Sequence, residues 1–235
     1  MILSEYFNNV ATGGFSFTRQ QGSDFAKDIA GDFNPLHDRE AKKFCVPGDL
    51  LFALTLFKLG VSQQMQFKFN GMISEDIPLD FAVNDASQIS VQDQQEKQYL
   101  QISRQGHTSQ NTEFATALAK SYVAFSGHTF PHVLVPLMAE KNVMINPTRP
   151  LVIYQSMSID LQSLDFSEVE LEITDTRLEV EGKRGSACLQ FCFKNNGEIL
   201  GHGEKIMTLS GLRAFDSKVI ESLVNDYEIR KNGYK

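Results

Sequence analysis

Residues 18–60 read TRQQGSDFAKDIAGDFNPLHDREAKKFCVPGDLLFALTLFKLG. An acid, an Asn-Pro turn and a histidine follow one predicted helix in this segment: Asp32, Asn34, Pro35 and His37. A second, very apolar helix then begins at Pro47 and Gly48. We interpret the remainder of the chain as a scaffold that holds these two features.

The helix predicted before the turn covers residues 19–30, because its apolar residues fall three and four positions apart. Gly31 is well placed to end it. Pro35 prevents helical continuation and favours extended backbone at the residue before it, so the chain turns here. Residues 50–59 are apolar nearly all round and are followed by Gly60, which predicts a buried helix with other elements wrapped around it.

Most of the chain after this second helix has the pattern of short strands separated by turn residues. The strands predicted in the first half are residues 66–73, 78–83, 88–91, 98–104 and 112–125. Those predicted in the second half are residues 151–164, 169–182, 187–195 and 198–211. One buried helix followed by antiparallel strands predicts an α+β unit whose sheet curls around the helix.

The order of a short helix and then several strands occurs twice, which predicts a diverged structural repeat. Residues 1–126 form the predicted N-terminal unit, which carries the turn, and residues 151–235 form the second unit. Residues 127–150 connect them and contain a short predicted helix at 137–141. An amphipathic helix at 217–229 closes the chain and packs either on the sheet or on a partner subunit. The length of 235 residues also fits one large domain.

The composition excludes several classes of function. With 42% hydrophobic and 22% charged residues, the chain can bury a full core. Its net charge of -7 argues against binding to a nucleic-acid backbone, which needs a basic surface. The N-terminal sequence does not resemble a signal peptide, and the longest apolar run is far shorter than the roughly 20 residues that cross a bilayer. We therefore expect a cytoplasmic protein without a membrane or nucleic-acid partner.

The three cysteines are predicted to be reduced thiols. Cys188 and Cys192 share one face of a predicted strand. They would lie about 13 Å apart, since a strand rises about 3.3 Å per residue, and that is too far for a disulfide.

The segment FAKDIAGDFNPLHDREAKKF, followed from residue 46 by VPGDLLFAL, resembles the MaoC-like branch of the hot-dog fold, which includes the (R)-specific enoyl-CoA hydratases. The resemblance covers residues 15–125, and the second half shares only the strand-rich pattern. It implies an α+β hot-dog fold. With the repeat, it implies a double hot-dog, in which two antiparallel sheets each wrap a helix within one chain.

Position by position, the resemblance makes Asp32 and His37 the pair that activates a water for addition to a trans-2-enoyl thioester. It places Asn34 in the turn at the substrate. It also assigns the backbone N–H of Gly48 to the thioester carbonyl. A helix start suits that role, because the N–H groups of Gly48 and Asp49 are free at the positive end of the helix dipole.

The resemblance implies no cofactor or metal, since the thioester of CoA or of an acyl carrier protein is itself the substrate. It implies one active site per chain, with the second unit in the place of a partner subunit. A homodimer of the whole chain is also compatible with the sequence.

Pro47 and Asp49 flank Gly48 where the hydratases have a histidine and an apolar residue. An acid at a helix start also resembles the nucleophile or base of hot-dog thioesterases. A thioesterase that uses Asp49 therefore stays open, as does a non-catalytic acyl-CoA-binding module that kept the turn for its shape. Asp49 has a simpler explanation too, because an acid in the first helical turn stabilises a helix by about 0.3 to 1 kcal/mol.

Two further histidines have the sequence spacing of a possible metal site. His128 and His132 lie four residues apart, as metal ligands on a helix do. Gly127 and Pro131 oppose a helix there, so we interpret the pair as structural or incidental.

Overall fold

A ten-stranded antiparallel sheet runs through the protein. The computed structural model describes residues 3–11, 13–166 and 168–234. Its strands are β1 (Asn8–Asn9), β2 (Phe15–Ser16), β3 (Val61–Phe69), β4 (Leu79–Asp85), β5 (Gln88–Asp93), β6 (Gln98–Ser109), β7 (Val143–Met144), β8 (Val152–Leu161), β9 (Glu170–Glu181), β10 (Arg184–Asn195), β11 (Glu198–Ser210) and β12 (Arg213–Ala214). Strands β7 and β12 pair with each other outside the large sheet.

The helices pack against this sheet. They are α1 (Arg19–Asp24), α2 (Gly48–Leu59), α3 (Thr112–Gly127), α4 (Thr129–His132), α5 (Leu134–Glu140) and α6 (Ser217–Gly233). A π-helical segment, Phe25–Ala30, continues α1, and 3-10 turns occur at Leu3–Glu5 and Pro35–His37. Within the ranges described above, no helix is long and apolar enough to span a lipid bilayer.

The strand order repeats one arrangement twice. From the middle of the sheet outward, the first half runs β3-β6-β5-β4 and the second half runs β8-β11-β10-β9. In each half the innermost strand is the first long strand after the helices. Strands β3 and β8 pair from Gln64 opposite Asp160 to Lys68 opposite Ser156, and so join the two sheets into one. The fold is an α+β double hot-dog, which confirms the predicted fold class.

Helix α2 lies at the centre of the first half. Its side chains from Asp49 to Leu56 are all buried. Phe52 contacts Phe67 of β3 and Tyr122 of α3, with ring centroids 5.1 and 4.7 Å apart. These contacts enclose the helix between the sheet and α3, as its uniformly apolar sequence predicted.

The second half has its own apolar cluster beneath α5 and α6. Its members come from these helices and from the inward positions of β9, β10 and β11: Leu134, Leu137, Met138, Leu178, Leu189, Met207, Leu209 and Ile220. The amphipathic C-terminal helix therefore packs on its own chain.

The prediction of a strand at residues 112–125 is wrong, because these residues form α3. Asn111 caps the helix, and its Oδ1 accepts hydrogen bonds from the N–H groups of Glu113 and Phe114 at 2.9 and 3.2 Å. The buried side chains recur three and four residues apart, which is the period of a helix: Phe114, Ala115, Leu118, Ala119, Tyr122, Val123 and Ser126. The unit boundaries at residues 126 and 150 stay predictions.

The end of α3 touches the end of the π-helical segment at Gly127. A Cβ there would lie 2.0 Å from the carbonyl oxygen of Ala30, which is backbone and cannot rotate away. We expect Gly127→Ala to lower the free energy of unfolding by about 1 to 3 kcal/mol, because the two segments must separate. Urea denaturation measures the change. The control is Gly233→Ala, where a Cβ meets no heavy atom within 4 Å. Equal loss of stability in both variants would contradict the close contact.

Candidate functional site

The turn that carries Asp32 is held in place by a capped helix. Thr18 Oγ1 accepts a hydrogen bond from the Gln21 N–H, and the Gln21 side chain accepts one from the Thr18 N–H, which is a capping box. The helical segment ends at Gly31, whose φ of 65° favours glycine. The Asp32 N–H donates to the Ala26 carbonyl at 2.8 Å, so Asp32 leaves the helix at a fixed angle.

The structure brings Asp32 and His37 together. Nε2 of His37 lies 3.7 Å from Oδ2 of Asp32. The other ring nitrogen, Nδ1, lies 2.7 Å from the carbonyl oxygen of Cys45. A carbonyl oxygen only accepts hydrogen bonds, so Nδ1 carries the proton, and in the neutral ring Nε2 has a free lone pair. That lone pair faces the carboxylate.

Asn34 stabilises the turn through two hydrogen bonds within it. Its N–H donates to Asp32 Oδ1 at 2.9 Å, and its own Oδ1 accepts from the Leu36 N–H at 3.1 Å. Pro35 begins the 3-10 turn that ends at His37. One oxygen of Asp32 is thus engaged by the turn, and the other faces the imidazole.

Gly48 begins α2, where the first N–H groups have no carbonyl partner within the helix. A Cβ on Gly48 would lie 3.0 Å from Tyr154 Cδ1 and 3.1 Å from Phe69 Cε1. These two rings, from β8 and β3, pack with centroids 4.2 Å apart. Their approach explains why the position is glycine, and it places the start of α2 where the two halves meet.

Beside Gly48 lies a buried polar cluster, Asp49, Ser126 and Lys205, which we call the Asp49 cluster. Ser126 Oγ donates to Asp49 Oδ2 at 2.5 Å and accepts a hydrogen bond from Lys205 Nζ. Asp49 is 8% exposed and Lys205 is 4% exposed. The three residues come from α2, α3 and β11, so the cluster links the two halves. Within the described part of the chain, Asp49 Oδ1 has no hydrogen-bond partner.

Burial disfavours the charged forms of both Asp49 and Lys205. It raises the pKa of Asp49, which the Lys205 charge and the Ser126 hydrogen bond partly oppose. It lowers the pKa of Lys205, which the charges of Asp49 and Asp32 oppose. Asp32 and His37 also act on Asp49, in opposite directions. The pair in the turn and the Asp49 cluster therefore share one electrostatic environment.

A buried tyrosine, Tyr122, and a partly buried one, Tyr154, border the cluster. The hydroxyls of Tyr122 and Tyr154 are hydrogen-bonded to each other. Burial first, and then nearby negative charge including that of Asp49, raise the pKa of each well above its usual value. Lys205 Nζ lies 4.5 Å from the centroid of the Tyr154 ring, which is a favourable position for a cation.

His128 and His132 lie on either side of a break in the helical backbone. Phe130 between them is not helical, and their rings stack with centroids 6.4 Å apart. The His128 ring packs on the backbone of Gly31, where a Cβ would lie 3.1 Å from its Cε1. Across residues 3–11, 13–166 and 168–234, no group of three or more His, Cys, Asp and Glu side chains could hold a metal ion.

Two cavities lie outside this arrangement. One of about 900 Å³ is lined mainly by polar side chains of the sheet, among them Gln64, Arg104, Asp160 and Glu204. The other, of about 400 Å³, is lined by His128, His132 and apolar neighbours on α3 and β9. Neither is lined by Asp32, His37 or Gly48.

Comparison with known families gives one match over most of the chain. A family model described as "Protein of unknown function (DUF3581)" matches residues 1–218. The chain belongs to this family. No curated protein sequence matches it. The helix α6 lies almost wholly after the part of the chain that the DUF3581 family model matches.

Three solved structures are similar to this DUF3581 member at low identity. The tesB protein of Mycobacterium avium subsp. paratuberculosis is 10% identical with a TM-score of 0.46, over 88% of this chain and 97% of that one. A MaoC-like dehydratase is 8% identical with a TM-score of 0.43, over 89% and 98%. The acyl-CoA thioesterase II TesB2 of Mycobacterium marinum is 10% identical with a TM-score of 0.40, over 92% and 98%. Similarity at this level transfers no residue role.

Proposed function

We propose that this chain is an acyl-thioester enzyme of the MaoC-like type, which adds water to a trans-2-enoyl thioester. The observation that carries the proposal is the approach of Asp32 Oδ2 to His37 Nε2 at 3.7 Å. Both atoms accept hydrogen bonds, and the distance between them is too long for a direct one. A water between them can donate one hydrogen to each.

The proposed reaction uses this water as the nucleophile. Its oxygen bonds to C3 of the substrate while one of its protons passes to His37 Nε2. The Asp32 carboxylate and the Cys45 carbonyl stabilise the imidazolium from either side. His37 then gives the proton to C2. One hydrogen and one hydroxyl have added across the double bond, and both side chains have returned to their starting states.

The start of α2 is the proposed site of the thioester carbonyl. Negative charge develops on that oxygen before C2 is protonated. The N–H groups of Gly48 and Asp49, at the positive end of a helix dipole, are suitable donors to it. Asn34 supports the reaction indirectly, because its N–H fixes one oxygen of Asp32.

Product analysis with the wild-type protein tests this proposal. Crotonyl-CoA and longer trans-2-enoyl-CoA substrates should yield 3-hydroxyacyl-CoA without release of free CoA. Free thiol that appears as fast as substrate disappears would assign the chain to hydrolysis instead.

A thioesterase that uses Asp49 is the second candidate, and one observation favours it. Asp49 Oδ1 is buried and has no partner among the described residues, while Ser126 holds the other oxygen. Such a carboxylate can activate a water next to a thioester carbonyl.

Under this second candidate, Asp49→Asn should abolish CoA release from saturated acyl-CoA, because the base is lost. His37→Ala should leave that release intact. Release is followed with a thiol reagent. Unchanged hydrolysis by Asp49→Asn would rule the thioesterase out.

The hydratase proposal has further parts. The thioester is carried by CoA or an acyl carrier protein, and no cofactor takes part. The enzyme acts in the cytoplasm, and a homodimer is compatible with it.

A further inference from the structure

The C-terminal part of α6 lies directly on the turn that carries Asp32 and His37. The hydroxyl of Tyr227 donates to the carbonyl oxygen of Gly31 at 3.1 Å, and the carbonyl of Gly127 lies 3.4 Å from the same hydroxyl. One side chain of α6 thus joins the residue before Asp32 to the end of α3. Tyr227 is 6% exposed, so water does not compete for these contacts.

The middle of the turn is also in contact with α6. Phe33, between Asp32 and Asn34, is buried, and its ring meets that of Tyr227 edge to face at a centroid distance of 6.1 Å. Tyr234 meets the same ring from another direction at 5.7 Å.

Two salt bridges hold the C-terminal end of the turn at Asp38. Arg230 of α6 lies 2.7 Å from Oδ2 of Asp38, the residue after His37. Lys27 lies 3.1 Å from the other oxygen of Asp38. Helix α6 therefore contacts the turn before Asp32, between the two site residues and after His37.

We propose that Tyr227 is a positioning residue for the Asp32 and His37 pair, because its hydroxyl holds the Gly31 carbonyl and so sets where the Asp32 carboxylate lies. The inference rests on the proposed hydration. Tyr227 touches the backbone beside Asp32 and not the reacting atoms, so its role is indirect.

Two features separate this role from ordinary packing. Ile220 and Tyr227 are the only buried side chains of α6 within residues 217–233, and Ile220 belongs to the second-half cluster. Tyr227 is thus the main anchor of the end that meets the turn. Burial and then the Asp32 charge raise the pKa of Tyr227 to about 12, an effect that the Phe33 backbone partly opposes. The hydroxyl remains a donor throughout the neutral range.

Tyr227→Phe tests the inference, because it keeps the ring and removes only the donor. We expect kcat for crotonyl-CoA hydration to fall roughly 10- to 100-fold with KM unchanged, since a small displacement of a catalytic group has effects of this size. Tyr99→Phe is the matched control. Tyr99 is also buried, and its hydroxyl on β6 donates to Asp93 of β5 at 3.0 Å. It should lose similar stability and keep the wild-type kcat.

Hydrogen exchange gives a readout that does not depend on the reaction. Amides of residues 31–38 should exchange faster in Tyr227→Phe than in wild type or Tyr99→Phe. With an active wild type, equal kcat values in the two variants would overturn the inference. If the wild type does not hydrate any enoyl thioester, the proposed function fails, and unchanged exchange at residues 31–38 would overturn the positioning role separately.

Discussion

Crotonyl-CoA hydration by Asp32→Asn is expected to be slower than wild type by roughly 10²- to 10⁴-fold in kcat, the range that a positioned acid or base contributes. The amide keeps the shape of the side chain, and its oxygen can still accept from the Asn34 N–H, which is 2.9 Å from Oδ1 in the structure. It cannot carry the negative charge that stabilises protonated His37. Steady-state kinetics measures kcat. If thermal unfolding of the variant is unchanged, the lower kcat reflects the catalytic step and not a loss of folded protein.

The matched control for that variant is Asp28→Asn. Asp28 is an exposed acid on the π-helical segment just before the turn. The same substitution there removes one negative charge four positions before Asp32, and kcat should stay at the wild-type value. A comparable loss in both variants would mean that overall charge, and not the Asp32 position, determines the rate.

Lys205→Met is expected to lower the free energy of unfolding by about 3 to 5 kcal/mol, the usual cost of removing one partner from a buried ion pair. Methionine fills similar volume, so the loss reflects mainly the uncompensated charge of Asp49. Urea denaturation measures it. Adding Asp49→Asn should recover part of the stability, because the buried charge is then gone. Strict additivity of the two changes would contradict a coupled pair.

The pH dependence of this loss follows from the raised pKa of Asp49. A carboxyl whose folded pKa is raised contributes stability that is complete below the ordinary value of 3.8 and is lost as pH rises through the folded pKa. The Lys205→Met penalty should therefore shrink as pH is lowered, when Asp49 takes up a proton. Lys194→Met is the control, because Lys194 pairs with Glu172 at the surface and should matter little at any pH.

The turn and the start of α2 could be predicted because their signals are local. Gly31, Pro35 and Gly48 act through backbone restrictions that hold in any fold. Most strands of each half were predictable from alternating patterns and turn residues, but their order in the sheet was not predicted. The resemblance predicted the approach of Asp32 to His37, which fits the short separation of four intervening residues and the bend that Pro35 sets.

The Asp49 cluster was missed for two physical reasons. Ser126 lies on α3, and the aromatic and β-branched residues near its end gave that helix the composition of a strand. Lys205 lies in phase with the buried Met207 and Leu209 of β11, so the alternation itself contains the signal that Lys205 points inward. That it would meet Ser126 depends on how α3 packs between the halves, which no local pattern encodes.

The contact of Tyr227 with Gly31 was not predictable for the same reason. The amphipathic pattern of α6 indicates a buried face but not which surface covers it.

The rate of trans-2-enoyl-CoA hydration in wild type, Asp32→Asn, His37→Gln and the double variant tests the central claim most directly. If both side chains act on one water, each single variant should lose most of the activity, and the double variant should be little slower than the slower single one. Multiplicative losses in the double variant would contradict a shared water, and a wild type that forms no 3-hydroxyacyl thioester would contradict the hydratase itself.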